Sequence, residues 1–145
     1  MRIHTVVATY VLIFARFFNL TRENYILLLL TIGGVISAEM VNTSIEELCD
    51  KVSPEYNSLI KHAKDAAAGA VLILAVFAVV IGIILFWNFN AFYSMYNFYV
   101  THPFNLCAII ALTILSVIYI VVGPVGIKKF FLKIFSRKTN GGNRK

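Results

Sequence analysis

The chain has 145 residues, 59% of them hydrophobic, with 13 lysines and arginines against 7 acids and a formal net charge of +6. Soluble domains are about 45–50% apolar. Here the excess sits in long unbroken runs, which excludes an ordinary soluble domain and indicates a polytopic membrane protein.

Residues 3–18 form the first expected span. At a helical rise they cover about 24 Å, short of the roughly 30 Å hydrocarbon core, with Arg16 reaching back to the interface. A cleaved signal peptide is the competing reading. No A-x-A-like site follows, and a second span comes at once, which argues against it. After a polar turn at 19–24, the pattern predicts a helix over 25–48. Ser53-Pro54 ends it, because a residue before proline is pushed out of the helical region. A polar connection over 52–64 leads to a third span, 66–89, whose opening AAAGA suits close helix packing.

Trp87, Phe89, Phe92, Tyr93, Tyr96 and Tyr99 then make an aromatic belt, much of it in an external connection over 90–103. Pro103 precedes a fourth span, 104–122, stopped by Gly123-Pro124. A basic tail over 124–145 ends in NGGNRK, which is expected to be disordered. The fold class is therefore all-α: an integral membrane helical bundle with a three-helix core and a fourth transmembrane helix. With both termini inside, eleven basic residues face the cytoplasm and two, Arg16 and Arg22, face out, as the positive-inside rule prefers. This placement explains the net charge without nucleic acid. Cys49 and Cys107 have neither disulfide-framework nor zinc spacing.

Residues 38–65 carry six of the seven acids. Steps of about 100° per residue put Glu39, Asn42, Glu46 and Asp50 within an arc of about 80°, a single polar stripe on an apolar helix. Carboxylates at the end of a membrane span mark a functional site by default. The familiar soluble motifs, the P-loop, G-x-G-x-x-G and G-x-S-x-G, are absent. What remains is a carboxylate pair two turns apart, Glu39 deeper and Glu46 nearer water, with Lys64 and Asp65 returning to the same interface. Carboxylates for Mg²⁺, a lysine for phosphate and a deeper carboxylate facing a lipid hydroxyl make a phosphoryl-transfer set. Two blander readings stay open. Glu39 and Asn42 can hold a helix trimer together by interhelical hydrogen bonds, and Asp50 can simply pair with Lys51. His4, His62 and His102 are scattered and suggest no metal site.

The segments AEMVNTSIEELCD and SPEYNSLIKHAKDAAAGAV resemble the prokaryotic diacylglycerol kinase family, in particular its Gram-positive branch, whose members phosphorylate undecaprenol. The signature E-x-x-N-[ST]-A-[ILV]-E-x-x-x-D is met except at Ser44, where alanine is usual. The resemblance implies a homotrimeric kinase of the bacterial plasma membrane, with ATP as co-substrate, Mg²⁺ as cofactor, and undecaprenol or diacylglycerol as acceptor. It puts Glu39 on the general base, and Asn42 and Asp50 on active-site polar positions. Glu46 falls on a carboxylate that binds both metal and ATP. Glu55, Tyr56 and Asn57 fall on a nucleotide-contacting triplet, and Lys64 and Asp65 on a pair that contacts ATP. In the family, a surface helix and a second metal-binding glutamate precede the stretch that MRIH resembles. Their absence leaves two expectations: a start assigned too late, or a truncated, catalytically impaired relative acting as a non-enzymatic membrane interaction protein.

Overall fold

The computed structural model describes residues 2–53 and 57–140, with side chains as far as residue 123. Five helices follow one another: α1 (Arg2–Ala15), α2 (Arg22–Val52), α3 (Ser58–Phe86), α4 (Phe89–Thr101) and α5 (Pro103–Asn140). The described residues contain no strand. Among the described residues, three helices are long and apolar enough to cross a membrane: α2, α3 and the Pro103–Gly123 part of α5. At 14 residues α1 is shorter, about 21 Å.

The chain leaves α1 in a tight turn. The N–H groups of Phe17 and Phe18 donate to the carbonyls of Phe14 and Ala15 at 3.0 and 3.1 Å. Asn19 then takes φ 48°, a left-handed conformation that asparagine tolerates better than most residues. Thr21 opens α2, its side-chain oxygen accepting from the N–H of Asn24 at 3.4 Å. The helix runs for 31 residues, about 47 Å, so part of it must extend past a hydrocarbon core of about 30 Å. It closes at Ser53, whose extended backbone (φ −141°, ψ 91°) is what a following proline demands.

The expected polar connection over 52–64 is mostly helix, since α3 begins at Ser58. Asn57 caps it, with Oδ1 accepting from the N–H of Leu59 at 2.9 Å. Lys61, His62, Lys64 and Asp65 therefore ride on the first turns of α3. Replacing the cap, Asn57→Ala, is expected to cost about 1 kcal/mol of stability, read as a lower thermal midpoint in detergent. The third span also ends at Phe86 rather than 89. Asn88 then caps α4, its Oδ1 accepting from the N–H groups of Asn90 and Ala91 at 3.1 and 3.3 Å. The aromatic connection is thus itself a helix.

Residues 3–97 form one compact unit, and those from Phe98 onward a second. In the first, α2 and α3 pack side by side, and the small core is Ala15, Phe18, Leu28, Val35 and Ala91. Phe18 meets Phe86 and Phe92 edge-on, with ring centroids 4.9 and 5.1 Å apart, so an aromatic cluster ties the turn after α1 to the end of α3 and to α4. No residue of α3 is buried. In the second unit, His102 stacks on Phe98 at 4.7 Å just before Pro103 starts α5. Gly123 (φ 70°, ψ 166°) breaks α5, a conformation that suits a residue without Cβ. The fourth span stops where the Gly-Pro pair predicts. Beyond it the backbone is helical again to Asn140, and the final GGNRK lies outside the described residues.

Candidate active site

After its polar first turn, helix α2 is uncharged from Tyr25 to Ala38 and becomes charged from Glu39 onward, so its last turns carry the charge that the hydrophobic middle cannot. The Nδ1 atom of His4, on α1, lies 2.8 Å from Oε1 of Glu39 on α2. The two side chains are 32% and 16% exposed, so the contact is partly shielded from water. It is a contact at ion-pair distance, because Nδ1 has no aligned hydrogen-bond partner among the described residues.

One turn further along α2, Asn42 Nδ2 donates to Glu46 Oε1 at 2.9 Å, an i, i+4 bond that orients the carboxylate. Oδ1 of Asn42 is buried and accepts no hydrogen bond among the described residues. A further turn on, Lys64 Nζ donates to Asp50 Oδ1 and joins α3 to α2. Thr43 and Ser44 do not join this line. Their hydroxyls donate back to the carbonyls of Glu39 and Met40 at 2.8 and 2.9 Å.

The expected stripe therefore exists as one face of α2 with two attachments, His4 from α1 and Lys64 from α3. Asp50 pairs across to Lys64 rather than to its neighbour Lys51. Asp65 is exposed on α3, about 100° around the helix from Lys64. Asn57 caps α3, while Glu55 and Tyr56 lie outside the described residues. Among the described residues no three His, Cys, Asp or Glu side chains gather into a metal-holding cluster. His4 is the site neighbour that sequence reasoning passed over. Its one signal was its place in MRIH.

An apolar groove of about 430 Å³ opens between α1, α2 and α3. Val7, Val11, Leu28, Val35, Ala78 and Gly82 are among its walls. Its polar linings are His4 and Thr31, and the Thr31 hydroxyl is already bonded to the carbonyl of Leu27 at 2.8 Å. His4 is thus both a wall of the groove and the contact of Glu39.

Comparison with known proteins bears on this arrangement. The profile of the prokaryotic diacylglycerol kinase family matches residues 1–86. The undecaprenol kinase of Bacillus subtilis is 40% identical over 83 residues, which is 57% of this chain and 68% of that protein. A diacylglycerol kinase of Synechocystis is 40% identical over 82 residues, 56% of this chain and 47% of its own length. The diacylglycerol kinase of Escherichia coli K12 is 36% identical over 63 residues, 43% of this chain and 52% of its own. The chain thus spans about half the length of these two diacylglycerol kinases. No solved structure matches it.

Proposed function

The chain belongs to the prokaryotic diacylglycerol kinase family, and from that premise we propose that it transfers the γ-phosphate of ATP to the hydroxyl of a membrane lipid, undecaprenol or diacylglycerol. The observation that carries this reading is the junction at His4, where the apolar groove adjoins the charged face of α2. A hydrocarbon chain lying in the groove brings its terminal hydroxyl to Glu39. That carboxylate accepts the hydroxyl proton while the lipid oxygen bonds to the γ-phosphorus. The bond from phosphorus to the bridging oxygen breaks, and ADP leaves with the electron pair.

The other polar residues divide between nucleotide and charge. Lys64 exchanges Asp50 for a phosphate oxygen, and Asp50 keeps the ammonium in place until ATP arrives. Asp65 and the three residues ahead of α3, Glu55, Tyr56 and Asn57, are assigned to the nucleotide. An ATP-bound Mg²⁺ needs only one or two protein carboxylates, the rest being phosphates and water. Glu46 suits that demand, because it is exposed and already oriented by Asn42. The metal would neutralise charge on the phosphate oxygens. Both termini are assigned to the cytoplasmic side, which puts the polar face where ATP is. Residues 1–89 form the kinase core in this reading, 90–103 the external connection, 104–123 an added helix and 124–145 a basic tail. A homotrimer is the proposed assembly, and it would cover part of α3, none of which is buried within one chain.

The test is transfer of labelled phosphate from γ-labelled ATP to undecaprenol or diacylglycerol in detergent micelles, with a hydroxyl-free lipid as control. Label on a hydroxyl-bearing lipid is expected. No transfer to either by folded, assembled protein refutes the assignment. The groove has its own test. Gly82 lines the groove, and a Cβ there would meet nothing within 4 Å, so the first atom of a larger side chain, as in Gly82→Phe, has room. The expected result is a rise of about tenfold or more in KM for the lipid, with KM for ATP unchanged.

A further inference from the structure

We propose that His4 is a positioning residue for Glu39: it fixes the carboxylate so that the proton-accepting oxygen faces the end of the groove. The inference rests on the kinase reading and adds to it a residue on a different helix. Three observations support it. The Nδ1–Oε1 separation is 2.8 Å, within reach of a hydrogen bond. Glu39 is only 16% exposed, so water competes weakly for that contact. His4 also lines the groove, so the residue that contacts Glu39 borders the space assigned to the hydrocarbon.

The geometry explains what a short donor on α1 adds here. Glu39 sits on α2 with three rotatable side-chain bonds, and its own turn offers it no side-chain donor: the Thr43 hydroxyl is committed to the Glu39 carbonyl. A donor from another helix can limit that freedom. Position 4 on α1 supplies one on a short, stiff side chain that loses little freedom when fixed. The unaligned approach is expected before substrate is present, since catalytic contacts commonly tighten only in the complex. Holding Oε1 sets the rotation of the carboxylate, and with it the direction of its other oxygen. A misdirected base leaves substrate binding nearly intact and slows the transfer step.

The decisive comparison is His4→Asn against His4→Gln, in the full chain with ATP and the accepted lipid. Asparagine places its amide N–H close to where Nδ1 stands; glutamine places it near Nε2, away from Glu39. Expected are a kcat within about threefold of wild type for His4→Asn and a fall of about tenfold or more for His4→Gln. KM for ATP should be unchanged in both. His4→Phe, which keeps the ring without a donor, should fall as far as His4→Gln while melting at the wild-type temperature. Equal kcat for the Asn and Gln variants overturns the proposal, as does full activity in His4→Phe. A merely structural histidine would lower the melting temperature and activity together, and that result also overturns it. The companion variant Glu39→Gln separates the two levels of inference. If it is inactive while the His4 variants are normal, only the role of His4 fails. If it remains active, the assignment of Glu39 fails first.

Discussion

Glu39→Gln is expected to lower lipid phosphorylation by about 10² to 10⁴-fold, the usual range for removing a general base, while the protein still inserts and assembles. The substitution keeps the shape of the side chain and a carbonyl oxygen able to face His4 Nδ1, so the 2.8 Å approach has no steric reason to be lost. It removes only the capacity to hold a proton. The groove walls come from other residues, so KM for the lipid should stay within about twofold, the mark of an interaction made in the transition state alone. The measurement is initial rate against lipid content at saturating ATP. Turnover within about tenfold of wild type would remove Glu39 from the role of base.

Glu46→Gln is the second large effect. The carboxamide still accepts the bond from Asn42 Nδ2, so local structure is retained. A neutral oxygen holds a hard cation poorly, and the expected loss is about 10² to 10³-fold at ordinary Mg²⁺, as for other charge-stabilising groups. Raising Mg²⁺ should restore part of it, which a folding defect would not allow. The measurement is turnover against Mg²⁺ at fixed ATP and lipid, for wild type and variant side by side. An unchanged Mg²⁺ dependence would transfer the role to Glu47 or Asp50, which lie on or beside the same face.

The polar face of α2 was legible because charge at helical spacing on an apolar background is a strong signal: Glu39, Asn42, Glu46 and Asp50 declare one side without any tertiary knowledge. The start of α3 was not. Hydropathy marks where a helix enters the membrane, not where it begins, and residues 58–65 are helical while still polar. The cap was visible in principle, since Asn57 stands directly before Ser58. The aromatic stretch read as an interface belt and is also a helix, because Asn88 opens it and Pro103 follows it. Beyond the place of His4 in MRIH, nothing in the sequence pointed to its contact with Glu39. It joins residues 35 positions apart on different helices, and no periodicity within either helix reports it. The Asp50–Lys64 pair is similar: both residues were marked, but only the packing of α2 on α3 shows that they meet.

The length of α2 fixes the units in which substrate supply has to be counted. At about 47 Å it outruns a hydrocarbon core of about 30 Å, so its charged turns stand in water while its apolar turns stay among acyl chains. In the proposed reaction, one reactant then arrives by three-dimensional diffusion and the other by two-dimensional diffusion within a sheet. Adding inert detergent or phospholipid at constant total acceptor would spread the acceptor over more surface and slow the reaction, although its bulk molarity is the same. Diluting the whole sample with buffer would leave the acceptor term almost untouched and act only through ATP. The proposed reaction would thus respond to the composition of the membrane rather than to the amount of it.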